Sequence, residues 1–162
     1  MTKQFLTFSL NGNLYAIDIF HVQEVQEYRE STKLPCTAPY IEGLINSRNQ
    51  GITVVNFRRR FALPDTPVTK ATRIIVLELP VNANNSADAG ENESAITLFG
   101  AVADSVSEVI DIEDEIIEPP PKFGNSIPAE FISGICKKDG HFISILDAER
   151  IFAEQIPAVS ED

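Results

Sequence analysis

Short apolar runs separated by turn-forming residues restrict the fold of this chain more than any other feature of its sequence. Two pairs of runs flank a turn signal: FLTFSL (5–10) and LYAIDI (14–19) lie around Asn11-Gly12, and FISGIC (131–136) and FISIL (142–146) lie around Asp139-Gly140. Asn-Gly and Asp-Gly adopt the positive φ that tight hairpin turns need. Both pairs therefore predict β-hairpins.

The other apolar runs also predict strands. They cover 41–45, 51–57, 73–79, 95–103 and 106–112, and they are rich in β-branched side chains. RIIVLEL at 73–79 has so few polar residues that both faces of this strand should be covered. Helical spacing is confined to 19–25 and 147–155. The pattern is typical of an all-β barrel or sandwich.

Two connecting segments suggest how the chain is organised. Residues 62–72 (ALPDTPVTKAT) are rich in Pro and Thr and suit a boundary between two barrel-like halves. Residues 80–94 (PVNANNSADAGENES) have almost nothing to bury, so we expect a flexible surface loop there. No internal repeat of fixed period is visible, and 162 residues suit one compact domain.

The charge and the cysteines exclude several classes of function. A net charge of -11 repels nucleic acid and anionic lipid, and Arg58, Arg59 and Arg60 are too few to reverse this, so we expect them to form a solvated rim. No apolar run approaches the ~20 residues of a membrane helix, so no direct membrane insertion is expected. Cys36 and Cys136 stand apart from any metal-ligand spacing, which suits a cytoplasmic protein with inert thiols.

Few ingredients for catalysis are present. The candidates are two histidines, His21 and His141, and a carboxylate cluster over 111–118 that lacks a calcium-loop pattern. We therefore expect no catalytic residues, no cofactor and no metal. A small metal-dependent hydrolase that uses these histidines and carboxylates is kept as the alternative from another class.

Several words in the sequence, taken in order, resemble the CheW-like chemotaxis coupling family from Phe5 to Phe152. YAIDI (15–19) and VQEV (22–25) match the family's YGIDI…VQEI, and IEGLINSRN (41–49) matches I-x-G-V-I-N-L-R-G. VNFRRRF (55–61) matches V-D-L-R-x-x-F, ADSVSEV (103–109) matches V-D-S-V-S-E-V, and FISGI (131–135) matches F-I-T-G-I. Asn49 stands where the family has Gly, and Asn is the next best residue for a left-handed turn.

The resemblance implies two small intertwined SH3-like five-stranded β-barrels packed about a shared core. We expect one barrel over 12–66, the other over 72–147 with the N-terminal strand, and a tail at 156–162. It also implies an adaptor that joins the cytoplasmic tip of a chemoreceptor to the regulatory domain of a CheA-type histidine kinase. A paralogue serving a surface-motility or other array is the alternative within the family.

The residues that the resemblance associates with partner contacts, or with holding the contact surfaces, are Val22, Glu24, Gly43, Arg48, Val106 and Gly134. Arg48 follows a strand, where its guanidinium could reach a partner carboxylate or brace the groove between the barrels. Gly43 and Gly134 lie in strands, where a missing side chain permits close backbone approach or a bulge. Val22 is either core or interface, and the sequence leaves both open.

Overall fold

Strands form almost all of the regular structure in the computed structural model, which describes residues 2–33, 39–47, 50–64, 66–81, 95–120 and 129–152. The strands are β1 Thr2–Leu10, β2 Asn13–Asp18, β3 Val22–Glu27, β4 Ile41–Ser47, β5 Gln50–Asn56, β6 Arg73–Val81, β7 Ala95–Ala103, β8 Ser105–Glu113, β9 Ile132–Lys138 and β10 His141–Leu146. Two short helices, α1 Phe57–Arg60 and α2 Ala148–Phe152, follow β5 and β10. The all-β prediction is confirmed.

Both predicted hairpins form around their turn signals. Asn11 and Gly12 have φ of 54° and 82°, and Asp139 and Gly140 have φ of 53° and 81°. Two consecutive residues with positive φ match the right-handed twist of the strands that they join. The predicted helical stretch at 19–25 was wrong in its second part, because a 3-10 turn over Ile19–His21 leads directly into β3.

The strands form two sheets with the same pattern of pairing. The first sheet has the order β8-β1-β2-β10-β9, and the second has the order β3-β6-β7-β5-β4. In each sheet one antiparallel hairpin, β1–β2 or β6–β7, pairs in parallel with a strand of a second hairpin. The two sheets are therefore built to one plan.

This plan reveals a structural repeat whose two copies exchange their first hairpins. In the first repeat, β1–β2 enters the first sheet, whereas β3, β4 and β5 enter the second. In the second repeat, β6–β7 enters the second sheet, whereas β8, β9 and β10 enter the first. The predicted boundary at 62–72 falls between the repeats. The predicted division into barrels over 12–66 and 72–147 does not match sheet membership, because β2, β6 and β7 lie in the opposite sheets.

One backbone bridge closes each sheet into a barrel. Thr32, which follows β3, exchanges hydrogen bonds of 2.9 and 2.8 Å with Leu44 of β4. Glu118, which follows β8, exchanges bonds of 2.9 and 2.8 Å with Ile135 of β9. We call these two places the seams. Each seam joins the outermost strands of its sheet, so unpaired edges are largely removed.

The described residues form three apolar clusters. One lies inside the first barrel and includes Phe5, Ala16 and Ile143, and another lies inside the second and includes Ile52 and Ile74. The largest lies between the barrels and draws on β1, β2, β5, β6, β7 and both helices. The two exchanged hairpins thus bury both of their faces, which explains why FLTFSL and RIIVLEL carry so few polar residues.

The strand β6 continues past the point where a loop was expected. Pro80 and Val81 pair with Ile96 and Ala95 of β7, so the prediction of a loop beginning at residue 80 was wrong at its start. Proline fits there because, within the described residues, the pairing of β6 with β3 ends at Leu77, so Pro80 lies where β6 pairs with a neighbouring strand on one side only. Residues 82–94 of the predicted loop and the tail at 156–162 lie outside the described residues.

We expect Gly43→Ala to destabilise the fold strongly. Gly43 is buried, has a φ of 154°, and a Cβ added there would overlap the Thr32 carbonyl at the seam. The free energy of unfolding, measured by urea denaturation, should fall by ~2–4 kcal/mol. Gly51→Ala on the paired strand is the control, because its Cβ would make an ordinary contact at 3.5 Å with Leu44. Equal effects of the two substitutions would refute the steric role of the seam.

Candidate partner-binding surfaces

Val22 and Val106 occupy equivalent places in the two repeats. Val22 opens β3 and pairs with Leu77, and Val106 lies at the start of β8 and pairs with Phe8. Both side chains are half-buried and pack against the cluster between the barrels. Each valine therefore supports the shared core, and an interface role for Val22 stays a prediction.

The outer strands β3 and β8 carry exposed side chains beside these valines. Glu24 is half-buried, and its Oε2 accepts a hydrogen bond of 3.1 Å from Gln26 Nε2. Val25 on β3 is 39% exposed and Val109 on β8 is 47% exposed. Both strands also contain a bulge. Each barrel thus presents an irregular outer strand with an exposed valine.

The two glycines of the predicted set lie at the two seams. Gly43 lies next to the bridge between Thr32 and Leu44, and Gly134 lies next to the bridge between Glu118 and Ile135. A Cβ on Gly134 would overlap Ile117 and would lie 3.2 Å from the Glu118 carbonyl oxygen. Both glycines are buried. The structure gives them a role in closing the barrels, and a direct partner contact stays a prediction.

The predicted residues are not brought into one patch by the sheets. Val22, Glu24 and Gly43 belong to the second barrel, whereas Val106 and Gly134 belong to the first. Arg48 lies outside the described residues, so its two possible roles stay predictions.

A carboxylate network lies beside the seam of the second barrel. Glu42 is the extra residue of a bulge in β4, and its two oxygens accept hydrogen bonds from Tyr28 Oη at 3.1 Å and Asn56 Nδ2 at 2.9 Å. Burial and the nearby carboxylate of Glu42 raise the pKa of Tyr28. The network joins the segment after β3 to β4 and β5. It therefore helps to hold together the two segments whose backbones meet at the seam beside Gly43.

The prediction that Arg58, Arg59 and Arg60 form a solvated rim was wrong for two of the three. Arg58 donates to Asp104 in a two-pronged contact, with Nε to Oδ1 at 2.9 Å and Nη2 to Oδ2 at 2.7 Å. Arg60 donates to the Ile151 carbonyl at 3.0 Å, and its guanidinium lies 4.8 Å from the Tyr40 ring and 4.5 Å from the Phe131 ring. Arg59 is exposed.

The Arg58–Asp104 pair ties three connections together. Asp104 also accepts a hydrogen bond of 2.8 Å from the backbone of Asn11, in the β1–β2 turn. The Arg58 hydrogen bond holds the pKa of Asp104 below its ordinary value despite the opposing effect of burial. Sequence reasoning missed this pair, although both residues stand in words that match the family. The presence of an arginine in one family motif and an aspartate in another is the sequence feature that could have suggested this ion pair.

The alternative of a metal-dependent hydrolase gains no geometric support from the described ranges. His21 and Asp114 line one cleft, whereas His141 opens β10 at the exposed hairpin end. No group of three or more His, Cys, Asp or Glu residues within the described part of the chain could hold a metal ion. Cys136 is buried in the first barrel, and this burial raises the pKa of its thiol.

Comparison with known proteins accounts for this architecture. The family model for the CheW-like domain matches residues 4–155. The chain belongs to the CheW-like family. This CheW-like chain is 26% identical over 152 residues to the chemotaxis protein CheW of Treponema pallidum, covering 94% of this chain and 83% of that protein. It is 26% identical over 160 residues to that of Klebsiella aerogenes, covering 99% and 87%.

A solved CheW structure has the same fold. The scaffolding protein TtCheW from Thermoanaerobacter tengcongensis superposes with a TM-score of 0.75 at 35% identity, covering 91% of this chain and 90% of that one. The CheW-like chain is thus a chemotaxis adaptor by family and by fold. Among its described residues, no helix is long and apolar enough to cross a membrane.

The lowered pKa of Asp104 predicts a stability difference that depends on pH. Its folded-state pKa lies below the ordinary value of 3.8, so the stabilisation is present above that value and is lost as the pH falls through the folded-state pKa. At about pH 7, Asp104→Asn should lower the free energy of unfolding by ~1–3 kcal/mol in urea denaturation, because it weakens a charge-assisted pair.

Measurements at decreasing pH test the sign of this effect. The difference between wild type and Asp104→Asn should shrink below the ordinary carboxyl pKa, whereas Asp111→Asn, at an exposed position on β8, should change little at any pH. A difference that stays constant as the solution is acidified would contradict the assignment.

Proposed function

We propose that this CheW-like chain is a cytoplasmic adaptor that binds the regulatory domain of a CheA-type histidine kinase and the cytoplasmic tip of a chemoreceptor. The observation that carries the proposal is the duplicated outer strand: β3 and β8 present equivalent surfaces on two different barrels. An adaptor needs two surfaces that can be occupied at the same time. Two barrels with one plan support this proposal.

The two surfaces combine the features of a modest protein interface. Val25 and Val109 are exposed apolar residues, and each lies among polar side chains on its outer strand. Val22 and Val106 connect each strand to the core between the barrels. A single exposed apolar residue is ordinary on a protein surface, so the support for the proposal is that such a residue recurs at the equivalent position of both outer strands, close to a valine that packs on the shared core.

The shared core also offers a physical basis for coupling. Both outer strands contact the cluster between the barrels through half-buried valines, so occupation of one surface can favour the arrangement that the other partner binds. Coupling of this kind requires contacts that differ in free energy between the signalling states of the array. The adaptor then transmits a signal through binding.

Two matched variants test the proposal, since Val25→Lys and Val109→Lys place the same charge at exposed positions on equivalent strands. We expect wild type to bind the kinase regulatory domain and the receptor tip from the same organism, measured by calorimetric titration. Each variant should weaken binding of one partner at least ~10-fold and leave the other within ~2-fold, because the valines lie on different barrels.

A charge change away from the two valines serves as the control. Glu113→Lys, at an exposed position near the end of β8, makes a larger change of charge and should leave both affinities within ~2-fold. Native folding of each variant is checked by its urea midpoint. Absence of binding to either partner would refute the proposed function, and weakening of one and the same partner by both valine variants would refute the assignment of two surfaces.

A further inference from the structure

Two aromatic residues occupy equivalent places in the two repeats. Tyr40 and Phe131 each precede the seam glycine of their repeat by three residues. The carbonyl of Tyr40 accepts a hydrogen bond of 2.7 Å from the backbone of Asn56, and the carbonyl of Phe131 accepts one of 2.9 Å from that of Asp147. Asn56 and Asp147 in turn cap α1 and α2. Matching bonds therefore place each aromatic residue beside the helix of its own repeat.

Arg60 of α1 lies between these two rings. Its guanidinium carbon is 4.8 Å from the centroid of the Tyr40 ring and 4.5 Å from that of the Phe131 ring. Its Nε and Nη2 both donate to the Ile151 carbonyl, at 3.3 and 3.0 Å. Ile151 lies in the last turn of α2, where carbonyls lack a partner within the helix. One side chain thus joins the first repeat to the second through a ring and a helix end.

The counterpart of Arg60 in the second repeat is an apolar residue. Arg60 and Ile151 each follow their capping residue, Asn56 or Asp147, by four residues. Ile151 is fully buried in the cluster between the barrels. An apolar side chain therefore suits this place in one repeat. In the other repeat, a long charged side chain is ordered at a cost in conformational entropy, and it supplies a property that apolar packing lacks.

That property is direction. Apolar burial is non-directional, and a core that is held by burial alone loses its unique arrangement before it loses stability. A guanidinium that stacks between two rings and donates through two nitrogens fixes both a position and a plane. The cluster between the barrels contains Phe131 and Ile151, and Val22 and Val106 pack against it. Arg60 therefore contacts the same core that supports both outer strands.

We propose that Arg60 is a positioning residue that holds the two barrels, and with them the outer strands β3 and β8, in one relative orientation. The inference rests on the proposed function in one respect, because that function assigns the two strands to two partners. Arg60 acts through the shared core and not through a contact with a partner. Its loss leaves both seams closed and allows one barrel to turn against the other.

Residual dipolar couplings of the backbone amides, measured by NMR on the full chain, test this without any partner. In wild type, one alignment tensor should fit the couplings of both barrels. Arg60→Met keeps an unbranched side chain against the rings and removes the charge and the donors. Each barrel should then still fit a tensor of its own, whereas the residual of the common fit should rise at least ~2-fold.

The stability of this variant separates positioning from folding. The urea midpoint of Arg60→Met should stay close to that of wild type, because a buried polar contact that is replaced by an apolar side chain often changes stability little. A common fit as good as that of wild type would overturn the proposal. Loss of the fit within a single barrel would also overturn it, because Arg60 would then stabilise the fold and not the orientation.

Two further variants separate geometry from charge. Arg60→Lys keeps the charge but has no planar group that stacks and donates through two nitrogens, so its couplings should resemble those of Arg60→Met. Arg150→Met removes an exposed arginine from α2 and should leave the common fit unchanged. Full recovery in Arg60→Lys, or an equal change in Arg150→Met, would assign the effect to charge and overturn the proposal.

Binding measurements carry the test to the two partners. The affinity for the receptor tip is measured with and without a saturating kinase regulatory domain, and the ratio of the two affinities is the coupling factor. Arg60→Met should bring this factor at least ~3-fold closer to 1 and leave each separate affinity within ~2-fold of wild type. A factor of 1 in wild type, or one that the substitution leaves unchanged, would overturn the link to coupling. If wild type binds neither partner, the proposed function fails, and the dipolar couplings still decide whether Arg60 positions the barrels.

Discussion

The cluster between the barrels is the feature on which the rest of the structure depends. The hairpins β1–β2 and β6–β7 carry apolar side chains on both faces, so one sheet cannot cover them. Each hairpin buries one face inside its own barrel and the other face in the cluster between the two barrels. The helices α1 and α2 add Phe57 and Ile151 to this core. The two barrels therefore stabilise each other.

Local patterns made much of this fold predictable. Asn11-Gly12 and Asp139-Gly140 identified two hairpins, and the paired strands follow the apolar runs. The exchange of hairpins was not predictable, because the parallel contact between Ala16 and Ile145 depends on residues far apart in sequence and leaves no local signal. The segment 62–72 was predicted to divide two barrel-like halves, but each sheet takes strands from both sides of it, and no local pattern indicates this.

The sequence placed the candidate residues in strands but did not reveal what surrounds them. The family words located Val22, Val106, Gly43 and Gly134, but their burial follows from contacts with other segments. Charge composition likewise suggested that the arginine triplet faces solvent, whereas Asp104 and the Ile151 carbonyl hold two of its members. A run of like charges usually indicates a solvent-exposed surface, but this inference fails when residues elsewhere in the chain bind the charged side chains.

The exchanged hairpins also affect how such a chain can fold as it leaves the ribosome. The first barrel begins with β1 and includes β9 and β10, so its sheet cannot be completed until nearly all described residues have emerged. The second barrel needs β7, which also lies beyond the midpoint of the chain. The first hairpin must wait with both apolar faces uncovered, and such surfaces bind chaperones or aggregate. Because each sheet needs strands from both repeats, we expect the two barrels to fold together and not one after the other during synthesis.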